Sequence, residues 1–229
     1  MKNVLSKYLV LVFVIAAAPV LTGHVSAQTP AGAATNAHAV GMGSGASINS
    51  PSAVDLRMGM RKLWEEHIVY TRNYIISGLA GLEDAGKVAE RLLRNQDDIG
   101  NAVKPFYGED AGKKLSALLR DHILIAADIV SAAKTGNNNA VSKGQEKWHQ
   151  NSDDIATFLS GANPNWPKPV LTEMLDKHLE LTTAEVVSRL KKDWAADIAA
   201  YDQGHDHMMM FADALTDGIV KQFPEKFAE

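Results

Sequence analysis

Apolar side chains recur along most of this chain at alternating spacings of four and three residues, a period that predicts helices packed along one face. The first stripe follows Ser52 and Asp55, whose spacing is similar to a capping box, and we expect its helix to end near residue 82. This stripe runs through Leu56, Met60, Leu63, His67, Tyr70 and Tyr74. Because the period continues on both sides of the β-branched stretch 68–76, it predicts a helix there as well.

Stop and start signals divide the rest of the chain into further helices. Pro105 disfavours helix in the residue before it, and Gly136 is typical of a helix end. Thr182 with Glu185 forms a second capping box. These signals predict helices at 85–104, 110–135, 139–161, 170–179 and 183–222. The sequence therefore predicts an all-α fold, an up-and-down bundle of about five to six helices that forms one domain over residues 53–229.

The residues before this domain predict export and a tether. Lys2 and Lys7 make a basic start, residues 8–23 are largely apolar, and residues 25–27 form a small-residue cleavage site, so residues 1–27 are interpreted as a signal peptide. Residues 28–52 carry no charge and are rich in small polar residues, which predicts a flexible linker. We therefore expect an extracytoplasmic protein, secreted or at the cell surface, with no transmembrane segment once the signal is removed.

The composition of the chain and the motifs it lacks exclude several classes of function. The formal net charge of -4 disfavours nucleic acid as a partner, and the absence of cysteine excludes disulfides, thiolate metal sites and cysteine nucleophiles. The chain has no Gly-x-Ser-x-Gly elbow, no Walker loop and no His-Glu-x-x-His motif. Enzyme activity thus has no positive support, and a non-catalytic binding protein is the leading hypothesis.

Each of the five longer predicted helices has one polar residue in its apolar stripe: His67, Asn95, His122, Asn151 and His205. The midpoints of these helices fall at about residues 68, 95, 123, 150 and 203, within about 5 Å of the polar residues along each axis. Antiparallel neighbours of similar length share a midplane. The sequence therefore predicts that these side chains meet in one central layer.

Three interpretations of this layer stay open. It can be a chamber for an unknown small ligand or a metal, in a protein that also contacts a cell-surface partner. It can be a transition-metal site formed by His67, His122 and His205, in an enzyme or a metal carrier, because three imidazoles in a bundle core are a known ligand set. It can also be a buried hydrogen-bond network, to which Asn95 and Asn151 contribute and which only sets helix register.

Several short segments resemble one family of small, uncharacterised, secreted helical proteins from spore-forming bacteria. The segments are LWEEH (63–67) with TR (71–72), LLRNQ (92–96), DIGN (98–101), KPFYG (104–108), HL (178–179) with LTT (181–183), and KQFP (221–224). Members of this family are often labelled acetylglutamate kinase or glycosyltransferase. The resemblance implies a helical bundle and supplies no catalytic residues. The kinase label conflicts with the sequence, because amino-acid kinases are α/β proteins with glycine-rich loops after strands.

Overall fold

The computed structural model describes residues 48–228, and this part of the chain contains helices and no strand. The helices are α1 (Pro51–Ala80), α2 (Ala85–Thr135), α3 (Asn138–Ala162), α4 (Lys168–Leu190) and α5 (Trp194–Gln222), followed by a 3-10 turn at Pro224–Lys226. The all-α prediction is confirmed. The predicted signal peptide and the linker up to residue 47 lie outside the described residues. Within residues 48–228, no helix has both the length and the apolar character needed to cross a membrane.

Helix α2 reverses direction at Gly108, whose φ of 84° and ψ of 170° are not helical. In a straight helix, Gly100 and Gly112 would lie about 18 Å apart. Here a Cβ on Gly100 would come within 2.5 Å of the carbonyl oxygen of Gly112, so the two arms pack antiparallel with their backbones almost in contact. We call residues 85–107 α2a and residues 109–135 α2b. Two helices were predicted in this region, and Pro105 lies inside the first rather than ending it.

The six helical segments form a closed ring in which each packs antiparallel to the next. Arg57 near the start of α1 pairs with Asp217 near the end of α5, and Arg72 pairs with Asp197 at 2.7 Å, so these two helices run in opposite directions. Contacts between α1 and α2, α2 and α3, α3 and α4, α4 and α5, and α5 and α1 complete the ring. One end, which we call the distal end, carries the turns 81–84, 136–137 and 191–193.

The main apolar core fills the half of the bundle away from the distal end. Its buried members include Met60, Trp64, Ile99, Leu115, Leu119, Ile155, Leu159, Phe211, Leu215 and Ile219. The distal half contains two smaller clusters, one around Ile75 and Val130 and one around Ile129 and Trp148. The two halves of the bundle are therefore filled unequally.

The predicted boundary between the last two helices is wrong. Thr182 and Glu185, interpreted as a capping box, lie inside α4, where the Thr182 hydroxyl donates to the carbonyl oxygen of His178 at 2.9 Å. The predicted short helix 170–179 therefore continues to residue 190. The chain reverses at residues 191–193 instead, where Lys192 has a φ of 59°.

This shift in the boundary exposes residues that the predicted stripe placed in the core. Trp194 and Ile198 are each 52% exposed. The new start of α5 is capped by Asp193, whose carboxylate accepts the backbone N–H of Ala196 at 3.1 Å. The full predicted stripe was Val187, Leu190, Trp194, Ile198, Tyr201, His205, Met208, Ala212, Leu215 and Ile219. Met208, Ala212, Leu215 and Ile219 are buried as predicted, so the stripe is displaced only on the first half of α5.

Candidate functional site

Three histidines from three helices meet halfway along the bundle. His67 on α1, His122 on α2b and His178 on α4 are all almost completely buried. The ring centroid of His178 lies 5.5 Å from that of His67 and 5.8 Å from that of His122. His178 thus contacts both of the other rings. We call these three imidazoles, with Asn95, Gln96 and Asn151, the polar layer.

On one side of the layer, two amides connect α2a to α1. Asn95 and Gln96 are fully buried. The Asn95 amide donates to the carbonyl oxygen of Leu63 at 2.9 Å and accepts a hydrogen bond from the Gln96 amide at 3.1 Å. The Gln96 amide also donates to the carbonyl oxygen of Leu92 at 2.8 Å. The hydrogen bond from Asn95 to Leu63 fixes the axial register of α2a against α1, and Gln96 holds the Asn95 side chain in place from within α2a.

On the other side, an amide and an imidazole connect α3 to α2b. The Nδ2 of Asn151 donates to the carbonyl oxygen of Leu118 at 3.0 Å, which leaves its Oδ1 as an acceptor. That oxygen lies 2.8 Å from Nδ1 of His122. His122 therefore donates from Nδ1, and this hydrogen bond fixes its tautomer.

Other polar atoms of the layer have no partner. Nδ1 of His67 and Nδ1 of His178 are buried and make no hydrogen bond within the described part of the chain. A buried polar group without a partner costs about 1 to 3 kcal/mol. The layer thus costs more stability than a purely apolar layer would.

Burial keeps the three imidazoles neutral. It lowers the pKa of His67 to about 3, an effect to which the nearby His122 adds. It lowers the pKa of His122 to about 4, although the hydrogen bond to Asn151 opposes this change. It also lowers the pKa of His178 well below its ordinary value, and His67 and His122 add to this effect. The layer is therefore uncharged at neutral pH.

His205, predicted in this layer, lies outside it. Its ring is partly exposed, and Nε2 lies 3.7 Å from a carboxylate oxygen of Glu65 on the outer face of α1. The buried face of α5 passes through Ala200, Gly204 and Met208, so His205 lies one residue, about 100° around the helix, from the buried position at Gly204. The height along the bundle was predicted well, but the direction was wrong for the first half of α5.

His178 was missed because the predicted helix around it, 170–179, was too short to belong to the five longer helices whose midpoints define the predicted layer. The midpoint of the observed α4 is residue 179, next to His178. A correct helix end would have placed this histidine in the polar layer from the sequence.

The metal hypothesis required His67, His122 and His205 to converge. The structure places the first two in the polar layer and the third on the outside. Within residues 48–228, no group of three or more histidine, aspartate or glutamate side chains is arranged to hold a metal ion. The chemistry that the layer offers as it stands is hydrogen bonding by neutral imidazoles and amides.

An apolar cavity of about 80 Å³ lies one helical turn from the polar layer, toward the distal end. Its lining includes Thr71 and Thr182, which follow His67 and His178 by four residues. The walls come from α1, both arms of α2, α3 and α4, and their apolar members include Ile75, Leu92, Ile123, Ala126, Ile129, Val130, Trp148 and Val186. The polar layer therefore closes the inner end of this cavity.

Most of the polar groups that line the cavity have partners, but Nε1 of Trp148 is buried and makes no hydrogen bond within the described part of the chain. The hydroxyl of Thr71 donates to the carbonyl oxygen of His67 at 2.7 Å, and that of Thr182 donates within its own helix in the same way. Thr183 accepts a hydrogen bond from Gln145 at 3.2 Å. None of the described lining side chains is a carboxylate, an amine or an imidazole. The cavity thus presents hydrocarbon and no acid, base or activated nucleophile.

The outer wall of the cavity reaches solvent at the distal end. Tyr74 and Val187 are half-buried there, and Leu190, the last residue of α4, is 43% exposed. A molecule can therefore enter from the distal end without crossing the polar layer.

A larger concavity of about 980 Å³ lies along the outside of α4, next to His207 on α5. Its lining carries charges of both signs, including Lys168, Glu173, Asp176 and Glu180, most of them exposed. A solvated groove of mixed charge favours no ligand class, so it is the weaker candidate.

A buried ion cluster lies beside the cavity and joins α1, α4 and α5. Arg72 donates to Glu185 at 2.6 Å and to Asp197 at 2.7 Å, and Arg189 donates to Asp197 at 2.9 Å. The Arg72 guanidinium also lies 4.9 Å from the centroid of the Tyr201 ring. Burial raises the pKa of Glu185 to about 7, against the opposing effect of Arg72. No sequence pattern predicts this cluster, because Arg72 is far from Glu185 and Asp197 along the chain.

Comparison of the chain with protein-family models, with curated proteins and with solved structures found no match.

Proposed function

We propose that this protein is an exported, non-catalytic helical bundle that binds a small apolar molecule in the cavity next to the polar layer. One observation carries the proposal: the cavity is lined almost entirely by hydrocarbon and lies between five helical segments. Pockets of this kind, inside bundles and between helices, are common ligand sites. A hydrocarbon lining favours a hydrocarbon ligand, because a polar group would lose its hydration there without a new partner.

The size of the cavity supports a small ligand. At about 80 Å³ it has about half the volume of an engineered apolar cavity that holds benzene. A group of a few carbon atoms fits without a change in the helices. A longer chain fits only if it extends through the distal opening beside Leu190.

The polar layer supports the proposal by separating this cavity from the main core. Its hydrogen bonds, such as those from Asn95 to α1 and from Asn151 to α2b, hold the helices in register around an incompletely filled space. The predicted signal peptide would direct export. The predicted linker would increase the distance over which the bundle can meet a ligand, because a flexible tether lets it sample its surroundings. The resemblance to the secreted family stays a prediction and contributes no residue roles.

Xenon is a suitable test probe, because it occupies dry apolar cavities without needing hydrogen bonds. We would titrate xenon into the exported chain, residues 28–229, and follow the methyl resonances of Ile75, Ile123 and Ile129. The test variant is Ala126→Leu, which adds three carbons inside the cavity. The control is Ala117→Leu, on the exposed face of the same arm.

The expected result is a saturable shift of these three methyl groups that Ala126→Leu removes and Ala117→Leu preserves. Molecules extracted with organic solvent from the purified protein should then include a small hydrocarbon-rich compound. If the methyl resonances do not respond to xenon, or respond equally in Ala126→Leu, the cavity does not hold a ligand. The polar layer would then only set the register of the helices.

A further inference from the structure

Large apolar side chains lie exposed at the distal end. Leu190, Trp194 and Ile198 are spaced four residues apart across the turn 191–193, and each is 43% exposed or more. Leu82, in the turn after α1, is 48% exposed at the same end. We call these four residues the distal patch. An exposed tryptophan is unusual in this chain, because Trp64, Trp148 and Trp166 are each only 3% exposed.

Two free cations lie inside the distal patch. Lys191 and Lys192 form the turn between Leu190 and Trp194, both are exposed, and neither pairs with a carboxylate in the described part of the chain. The carboxylate in the same turn, Asp193, accepts the capping N–H of α5, and two further exposed carboxylates, Glu83 and Asp84, follow Leu82 in the turn 81–84. The turn therefore presents two ammonium groups next to an exposed indole.

Tryptophan beside lysine is the side-chain combination that favours a lipid–water interface. An indole has an apolar body and one polar N–H, and a lysine stem lies along apolar surface while its ammonium group reaches the headgroups. A stable protein interface buries about 1,200 to 2,000 Å² in total, which needs many more side chains than the four of the distal patch. The size of the patch thus favours a lipid surface over a protein partner.

The distal patch is also continuous with the cavity. Leu190 lines the outer wall of the cavity and is at the same time part of the exposed surface. A hydrocarbon chain in a lipid surface would reach the cavity opening without crossing water. The position of the opening is explained if the bound molecule comes from a membrane.

We propose that the distal end of the bundle docks on a lipid surface through Trp194 and Ile198, with Lys191 and Lys192 contacting the phosphates of the lipid headgroups. Docking places the cavity opening against the lipid, so that a lipophilic molecule passes directly from the membrane into the cavity. The second step depends on the function proposed above, whereas docking itself does not.

The test uses the exported chain, residues 28–229, with phosphatidylcholine vesicles that contain or lack phosphatidylglycerol. Docking should shift the emission of Trp194 to the blue, and brominated lipid should quench it, because the other three tryptophans are buried. Trp194→Ala should weaken vesicle binding by about tenfold or more, the loss of one large apolar contact. Lys191→Ser and Lys192→Ser should each weaken it by about fivefold at low salt.

Two controls separate this effect from general surface changes. Met210→Ser removes an exposed apolar side chain from the middle of α5, and Lys221→Ser removes an exposed lysine near its other end. Both variants should bind vesicles as the unchanged protein does. Equal binding by Trp194→Ala, or no binding to either kind of vesicle, would overturn docking. A concentration-dependent dimer that Trp194→Ala dissociates, with no vesicle binding, would instead assign the patch to a second copy of the chain.

The two proposals fail separately. Trp194→Ala should retain the xenon response of the cavity, and Ala126→Leu should retain vesicle binding. Vesicle binding without a xenon response supports docking and refutes the ligand cavity. A xenon response without vesicle binding supports the ligand cavity and refutes docking.

Discussion

Lowering the pH from 7 to 5 should destabilise this bundle strongly, because three imidazoles are buried in their neutral form. The pKa of His67 falls to about 3 and that of His122 to about 4, and burial lowers the pKa of His178 as well. In the unfolded chain all three return to the ordinary value of 6.5. Between those limits the unfolded state binds more protons than the folded state, so stability is lost as the pH falls below 6.5.

The magnitude follows from these pKa values. For one histidine that titrates at 6.5 when unfolded and stays neutral when folded, the change from pH 7 to 5 costs about 2 kcal/mol. Three such residues cost about 6 kcal/mol. Glu185 acts in the opposite direction, since its pKa rises from 4.5 to about 7 on folding. For this residue, lowering the pH from 7 to 5 adds about 2 kcal/mol to the free energy of unfolding. The net loss is about 4 kcal/mol, a large part of the 5 to 15 kcal/mol that typically stabilises a domain.

Urea unfolding followed by circular dichroism at pH 7, 6 and 5 measures this loss. His178→Leu removes one titrating group, so its loss between pH 7 and 5 should be smaller by about 2 kcal/mol. Ala117→Leu is the control, because it adds a leucine on the exposed face of α2b without removing a titrating group, so its loss between pH 7 and 5 should equal that of the unchanged protein. A free energy of unfolding that stays constant from pH 7 to 5, or an unchanged loss in His178→Leu, would refute the reasoning.

The remaining predictions concern the ion cluster and the reversal of α2. Arg72→Leu leaves two buried carboxylates without their main partner and should lower the free energy of unfolding by about 3 to 5 kcal/mol. Arg61→Leu, on the surface, should lower it by about 1 kcal/mol or less. Urea titration measures both. Gly108→Ala should cost about 1 to 3 kcal/mol because φ is 84°, while Gly59→Ala, in open space within α1, should stabilise by up to about 1 kcal/mol. Gly100→Ala should cost about 1 to 3 kcal/mol and lower the melting temperature, because its Cβ would meet backbone 2.5 Å away.

The parts of this fold that local signals determine could be predicted from the sequence. The stripe period predicted the helices, and the turn at Gly136 was placed correctly because glycine there adopts a left-handed conformation that caps α2. The helices on either side of Gly108 were also predicted. The one large error came from Thr182 and Glu185, whose types fit a capping box equally well when they lie inside a helix.

The polar layer was predicted in height and only partly in composition. His67, Asn95, His122 and Asn151 lie where their distance from the helix midpoints placed them, since rise per residue is constant. The direction of a side chain depends on which face of its helix is buried, and on the first half of α5 that face runs through Ala200 and Gly204, one residue before the predicted position of His205. The placement of His205 depended on that direction, and the metal hypothesis depended on His205.

The cavity and the ion cluster could not be predicted at all. Both arise where helices distant in sequence face one another, as Arg72 and Asp197 do across 125 residues. Periodicity describes one helix at a time and contains no information on which faces meet. Only a three-dimensional structure supplies that information.

Because the two halves are filled unequally, the distal end of this bundle should open locally more often than the opposite end. The half with the main apolar core has many mutually buried side chains, whereas the distal half surrounds a space and has two small clusters. Local opening is easiest where few apolar contacts must be broken. Amide hydrogens near Tyr74, Ala133 and Val187 should therefore exchange with deuterium before those near Ile99 and Leu215, so that the opening widens while the opposite end stays rigid.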